Sequence, residues 1–403
     1  MTSLQQRRGG LAVVISFATF IGLGLSSGLL GLAWPRMRAE FGLPLDAVGT
    51  LLLLQTMGYI VSSFFSGRVT ALFGHGVTFF VSALLMAGGL AGYFVAPDWM
   101  LVIVCGLFVG AGSGLLDAGL NNYIAAYYGP RQMNWLHACF GIGLTIGPRI
   151  MSELFLRGYS WRVGYILTAV VLVALGVVYL LSLKIWRNDV PQIAGAQPTR
   201  PASLGATLRL PLLWLSVALL FAYAGMEIGA GQWAFTLSTE GRGIAEAEAG
   251  WWVTIYWGAF TIGRILFGFL GERLKLVPAL RVSMIGTVIG AFVWWLNPSD
   301  FTGFLGLALL GFAQAPLFPL LMLATSERLG AEHAANAIGF QVSAAGAGVA
   351  VLPGLAGTLA RTFGLETLGL TFFVLSVAVF ALHELILMQR SQRAPLVRPS
   401  GAD

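Results

Sequence analysis

Apolar residues fill twelve stretches of this chain, and short polar breaks separate them. The stretches cover roughly 11–34, 47–66, 77–96, 99–126, 133–156, 162–184, 212–238, 250–270, 279–296, 301–325, 334–359 and 366–388. A helix that spans a bilayer needs about 20 predominantly apolar residues, and each stretch has about that length. The pattern therefore predicts an all-α polytopic membrane protein with 12 transmembrane helices. One connection stands apart: Arg187 to Arg209 is long, polar and rich in Pro, Gln, Thr and Ala. It divides the chain into a six-helix bundle at 1–186, a linker at 187–210, a second six-helix bundle at 211–390 and a tail at 391–403. Sliding one half over the other sets Gly49 on Gly250, Gly67 on Gly268, Phe20 on Phe221, Gly24 on Gly225 and Gly147 on Gly348. Weak internal symmetry of this kind is expected where two helical repeats enclose a site near the midplane.

Composition narrows the class further. Only 10% of the 403 residues are charged and 57% are hydrophobic, whereas soluble domains carry about 25% charged residues. Glycine is plentiful, at 53 residues. In lipid, small residues let helices approach closely, so most of these glycines are expected to serve packing. A net charge of +6 would suit a nucleic-acid partner, but topology accounts for the basic residues more simply. With the N-terminus inside, Arg36, Arg38, Arg157, Arg162, Arg242 and Arg361 fall outside, Arg149 and Arg264 fall within spans, and the rest of the 23 Lys and Arg residues are cytoplasmic. That asymmetry follows the positive-inside rule and predicts a plasma (inner) membrane protein with both termini cytoplasmic.

The first span follows Arg7-Arg8 but is too long for a signal's apolar core. No small-residue cleavage site stands out before Trp34-Pro35, so the span is expected to stay. Cys105 and Cys139 each lie inside a predicted helix, which implies no disulfide framework. His, Cys and carboxylates nowhere adopt metal-site spacing, and no cofactor is expected. The lipid bilayer, a small-molecule substrate and a monomeric state are the expectations that follow.

Two carboxylates interrupt the apolar runs. Glu227 sits in Tyr223-Ala-Gly225-Met-Glu227-Ile-Gly229-Ala-Gly231-Gln232-Trp233, and Asp117 lies in the other half. An ionisable group at membrane depth costs roughly 2.5–3.5 kcal/mol on insertion scales, so it usually faces a protein interior or a water-filled path. Asp117 and Asn121 are four apart and share a helix face. Gly110 and Gly114 continue that face, and such a stripe is expected to line a cavity where Asn121 exchanges hydrogen bonds with a substrate. Glu227 shares its face with Tyr223 and Gly231. Local unwinding at Gly229-Ala-Gly231 would bring Gln232 and Trp233 to the same site. A Trp face suits the apolar face of a pyranose ring, while a headgroup belt is the plainer role for Trp233. On span 2, Gln55 and Tyr59 form an i, i+4 polar pair, and Tyr256 on span 8 is the positional counterpart of Gln55.

At this point the residues resemble the major facilitator superfamily. Gly67-Arg68-Val-Thr-Ala-Leu-Phe-Gly74-His75 after span 2 is similar to its cytoplasmic loop motif without the usual Asp, and Gly268-Phe-Leu-Gly-Glu272-Arg273 is the counterpart after span 8. A narrower resemblance is to the fucose–proton symporter family. It is carried by Gly114-Leu-Leu-Asp117-Ala-Gly-Leu-Asn121, Asn134-Trp-Leu-His137-Ala-Cys-Phe140-Gly141, Tyr223-Ala-Gly225-Met-Glu227, and Gly339-Phe-Gln341-Val-Ser-Ala-Ala-Gly346 with Pro353-Gly354. The resemblance implies uptake of a small sugar by alternating access, often with a proton. It also implies that Asp117 is the acid that couples protons. His137, near the cytoplasmic end of span 5, is a candidate donor to substrate, with packing as the plainer role, and Gln341 in span 11 is a candidate substrate partner from the second half. Sodium is the alternative ion, since some hexose carriers of this resemblance use it. Aligning on Pro35 places Gly31 where the fucose permease has a second acid, and span 1 carries Ser26 and Ser27 but no carboxylate.

Arg149 departs from the superfamily pattern, in which small or apolar residues follow the Pro of Gly143-Leu-Thr-Ile-Gly147-Pro148. Three accounts stay open: an i, i+4 salt bridge to Glu153, recognition of an anion near the outer gate, and an introduced substitution. Arg264 is expected to snorkel from span 8. The leading reading is a sugar carrier. Its rivals are an exporter of drugs or amphiphiles and a non-transporting receptor with a carrier fold. No nucleophile–base pair or metal motif supports an enzyme.

Overall fold

A computed structural model describes residues 3–128, 130–186, 202–270 and 275–393. Among the described residues, twelve helical spans are long and apolar enough to cross a membrane. Their helices are α1 (Ser3–Phe41), α2 (Val48–Phe73), α3 (His75–Val95), α4 (Trp99–Tyr127), α5 (Pro130–Leu156), α6 (Trp161–Leu181), α7 (Leu204–Leu208), α8 (Pro211–Thr236), α9 (Glu246–Leu270), α10 (Leu276–Leu296), α11 (Asp300–Gln314), α12 (Leu317–Leu329), α13 (Ala331–Phe363) and α14 (Thr367–Arg393). The short α7 is not a span, and α11 with α12 makes the tenth. Most of the predicted linker, the 271–274 part of the second loop motif and most of the tail lie outside the described residues.

Caps mark several boundaries. The Asp98 carboxylate accepts from Leu101 N at 2.9 Å and starts α4. Ser299 and Thr302 form a reciprocal capping box that starts α11. Gly74 and Gly330 both have positive φ, at 79° and 92°, and turn the chain between α2 and α3 and between α12 and α13. Because the spans are antiparallel in sequence order, the ends of α1, α5, α8 and α13 share one end of the bundle with the starts of α2, α9 and α14. This is called the far end, and the opposite end carries the start of α1 and the end of α14.

Glycine crossings hold the bundle together, and they repeat. A Cβ at Gly24 would collide with the Phe140 carbonyl of α5, and one at Gly225 would lie 2.7 Å from the Gly348 carbonyl of α13. Gly110 is pressed on the Gln55 carbonyl of α2, while Gly311 is pressed on the Tyr256 carbonyl of α9. The half-chain shift superimposes the last two contacts, Gly110 on Gly311 and Gln55 on Tyr256, while the first two join the corresponding helix pairs, α1 with α5 and α8 with α13, at different residues. The same observation corrects one expectation. Gly110 and Gly114 do not line a cavity, because their missing side chains admit the α2 backbone at Gln55 and Tyr59.

Such contacts leave no room for one more carbon. Gly24→Ala is expected to cost about 1–3 kcal/mol through overpacking. Thermal unfolding of the purified protein in detergent would report it as a lowered midpoint, whereas Gly88→Ala, which meets nothing within 4 Å, should leave the midpoint unchanged.

Candidate functional site

A buried polar cluster surrounds Glu227, which is 8% exposed. Its carboxylate accepts from the Tyr223 hydroxyl one turn earlier on α8, and that hydroxyl is also 3.1 Å from the Gln314 carbonyl. From α9, the Tyr256 hydroxyl donates to the Glu227 main-chain carbonyl at 2.7 Å. The Gln314 side-chain amide donates to that same tyrosine oxygen, leaving Gln314 Oε1 buried without a partner. Arg264 Nη2 is 3.8 Å from Glu227 Oε1.

The cluster exists because the tenth span is broken. Pro316 lies between α11 and α12 and has no N–H to give the Phe312 carbonyl, which instead receives Ala315 N at 3.4 Å. The interruption frees the Gln314 main-chain carbonyl from helix bonding, and the Tyr223 and Tyr256 hydroxyls meet that carbonyl and the side-chain NH2, while Oε1 keeps no partner. Broken helices near the midplane are where carriers place polar chemistry.

α8 itself is continuous through Thr236, so the expected unwinding at Gly229-Ala-Gly231 does not occur. The irregularity comes later, as a π turn at Leu237–Gly241. On an unbroken helix Gln232 and Trp233 face away from Glu227. Trp233 is fully buried and donates from Nε1 to the Pro353 carbonyl of α13 at 2.9 Å. Gln232 packs its main chain on Gly31 of α1 and keeps a buried Nε2 without a partner.

In the first half, Asp117 is bonded within a polar trio. Its Oδ2 accepts from the Tyr59 hydroxyl at 2.5 Å, and its Oδ1 accepts from Asn121 Nδ2 at 3.1 Å. Among the described residues no cation pairs with it. Gln55 donates to the Tyr93 hydroxyl at 2.9 Å, away from that trio. His137 of α5 stacks edge-on against Phe20 and lies within electrostatic range of Arg264. Gln341 accepts from Thr325 Oγ1 at 2.8 Å and is 2% exposed, so it ties α13 to α12.

Ion pairs join the two halves at the far end. Arg36 reaches Glu246 at 2.7 Å, Arg38 reaches Glu240 at 2.5 Å, and Arg361 approaches Asp46 at 3.5 Å. There a Cβ on Gly49 would come within 2.8 Å of Gly354 Cα. Arg149 bonds Glu153 on its own helix, and its guanidinium lies 4.1 Å over the Trp251 ring of α9. Among the described residues, every ion pair between the halves is at this end. Exposed pairs contribute about 0–1 kcal/mol each. Removing two, by Arg36→Ala with Arg38→Ala, is expected to favour separation of the far ends by up to about 5- to 30-fold. Distances between spin labels across that end would measure it.

The sequence profile of the Major Facilitator Superfamily matches residues 15–243 and 233–402. The chain belongs to that superfamily. Superfamily relatives include Bypass of stop codon protein 6 of Saccharomyces cerevisiae, 25% identical over 93% of this chain and 81% of the relative. Sodium-dependent glucose transporter 1A of Mus musculus is 25% identical, over 75% of this chain and 79% of its own. Glucose/mannose transporter GlcP of Bacillus subtilis is 23% identical, over 78% and 79%. A crystal structure of the E. coli fucose:proton symporter FucP superimposes with a TM-score of 0.62 at 16% identity, covering 93% of this chain and 98% of that one. The last comparison concerns the fold alone.

This superfamily member is a multi-pass membrane transporter, not an enzyme. Its structure adds three residues to those the sequence singles out as site candidates. Gln314 was detectable from Pro316 interrupting an apolar run, and Tyr223 from its i, i+4 spacing to Glu227. Arg264 was visible as a charge within a span, but its partner lies on another helix.

Proposed function

We propose that the chain moves a small sugar, a hexose or close relative, across the plasma (inner) membrane by alternating access with proton coupling. The observation that carries this reading is the enclosed cluster of Glu227, Tyr223, Tyr256 and Gln314 beside a broken helix. A carboxylate, amide and hydroxyl set of that kind matches a polyol, which offers donors and acceptors in close succession. Two superfamily relatives carry names of glucose transporters, which supports the same substrate class. Asn121 and His137 present polar groups from the first half, so a sugar between the halves would touch both repeats.

In this reading Asp117 is the proton carrier. It has no counter-ion among the described residues, so gaining a proton breaks no ion pair. Sodium is the competing ion, and parallel proton and sodium gradients separate the two. The far end faces outside, with both termini cytoplasmic, and its ion pairs hold the outer gate shut. Gln55, Gln341 and Trp233 brace the helices that carry the site, through Tyr93, Thr325 and Pro353.

A thermal-shift panel of hexoses, hexitols and lipophilic cations tests the substrate class. Stabilisation by hexoses is expected. Stabilisation by lipophilic cations and by no sugar would overturn the reading in favour of an amphiphile exporter.

A further inference from the structure

We propose that Arg264 binds substrate directly, and that its pairing with Glu227 selects uncharged polyols against sugar acids and sugar phosphates. The inference rests on the sugar-carrier reading and specifies the chemistry of that site.

The geometry is that of a pair held open. Arg264 Nη2 and Glu227 Oε1 are 3.8 Å apart, beyond the 2.7–3.2 Å of an N–H···O hydrogen bond. Arginine has five N–H donors, yet Arg264 Nε is buried with no partner. Snorkelling does not describe this side chain, which is only 16% exposed. Its guanidinium lies 4.3 Å over the ring of Phe260, one turn further from the α9 terminus. The head thus folds back toward the middle of the bundle, against Glu227 from α8 and near His137 from α5.

A hydroxyl group completes that arrangement. Its oxygen accepts from the guanidinium while its hydrogen goes to the carboxylate, so one O–H spans the gap that the pair leaves. A vicinal diol does so twice, and Gln314 Oε1 offers a further unspent acceptor within the cluster. The pair is neutral overall, so a neutral polyol enters without creating an unbalanced charge. A carboxylate or phosphate would set two anions beside one cation in a water-poor site, which is strongly unfavourable. Glu227 therefore excludes acids, and Arg264 supplies the donors that a carboxylate alone lacks.

The test uses the purified full-length protein, with D-glucose, D-mannose, D-glucuronate and glucose 6-phosphate as probes in equilibrium binding. For the unaltered protein, the neutral hexoses are expected to bind and the two anions to bind at least 100-fold more weakly. Arg264→Gln should weaken hexose binding by about 10- to 150-fold, the range of a charge-assisted hydrogen bond. Glu227→Gln should also weaken hexose binding, yet bind glucuronate at least 10-fold more tightly than the unaltered protein does. The double variant Glu227→Gln with Arg264→Gln removes both charges together, so it keeps the fold and should gain no affinity for glucuronate. Melting temperatures without ligand separate loss of fold from loss of binding. Unchanged hexose affinity in Arg264→Gln, or no gain of glucuronate in Glu227→Gln, would overturn the inference while leaving the sugar-carrier reading intact. Absence of hexose binding to the unaltered protein would overturn that reading, and this inference with it.

Discussion

Replacing Glu227 with alanine is expected to abolish substrate binding. The substitution removes the one carboxylate of the enclosed cluster and strands the Arg264 guanidinium, which is 16% exposed and has no other acidic partner among the described residues. Breaking a buried pair by removing one member costs about 3–5 kcal/mol. Binding itself loses two charge-assisted hydrogen bonds from a diol to the carboxylate, about 1.5–3 kcal/mol each, which is a loss of more than 100-fold. Tyr223 also loses its acceptor, although the Gln314 carbonyl at 3.1 Å remains available to its hydroxyl. Part of the cost falls on the fold, so binding should be compared with the unliganded melting temperature. Isothermal titration with glucose measures the first, and near-normal affinity there would remove Glu227 from the substrate site.

Asp117→Asn is the second large effect, and its signature differs. The amide is isosteric with the carboxyl group that accepts from Tyr59 and Asn121: its oxygen accepts from Asn121, and its NH2 donates to the Tyr59 hydroxyl, whose hydrogen turns away. Binding and exchange down a gradient should persist. Accumulation should not, because an amide cannot carry the proton. For one proton per sugar, a gradient of one pH unit supports about tenfold accumulation, since a unit corresponds to about 1.4 kcal/mol. A potential of 100 mV adds about 2.3 kcal/mol for the charge that moves. Both contributions should vanish in the variant, leaving equal concentrations on the two sides. Uptake into vesicles with an imposed pH gradient reads this directly, and unchanged accumulation would take the proton role from Asp117. Before Pro35, α1 carries Ser26 and Ser27 but no acid, and Glu40 near its far end is already bonded to Trp161 and Arg162.

The twelve spans were legible because length and apolarity alone define a membrane helix. Their ends were less so. α1 continues past Trp34-Pro35 to Phe41, since a proline removes one helix donor without stopping the chain. Behind the glycine matches between the halves stands one contact made at equivalent residues, Gly110 on Gln55 and Gly311 on Tyr256.

Within the candidate site, Glu227 and Asp117 announced themselves as charges in apolar runs. Their partners did not. The ion pair of Glu227 with Arg264 and the bonds of Gln314 join separate helices, and only the relative rotation of those helices decides them. Gln232 and Trp233 turned on a single local question, whether α8 unwinds at Gly229. The helix stays intact there because Gly229 and Gly231 pack directly against Phe372 and Trp257, which fill the space that unwinding would need.

Counterflow in proteoliposomes tests the central claim most directly. Vesicles loaded with unlabelled glucose or mannose are diluted into trace labelled sugar, with no ion gradient. The account predicts saturable, transient uptake of label that Glu227→Ala abolishes and Asp117→Asn retains. No counterflow of any hexose by folded protein, or equal counterflow in Glu227→Ala, would contradict it.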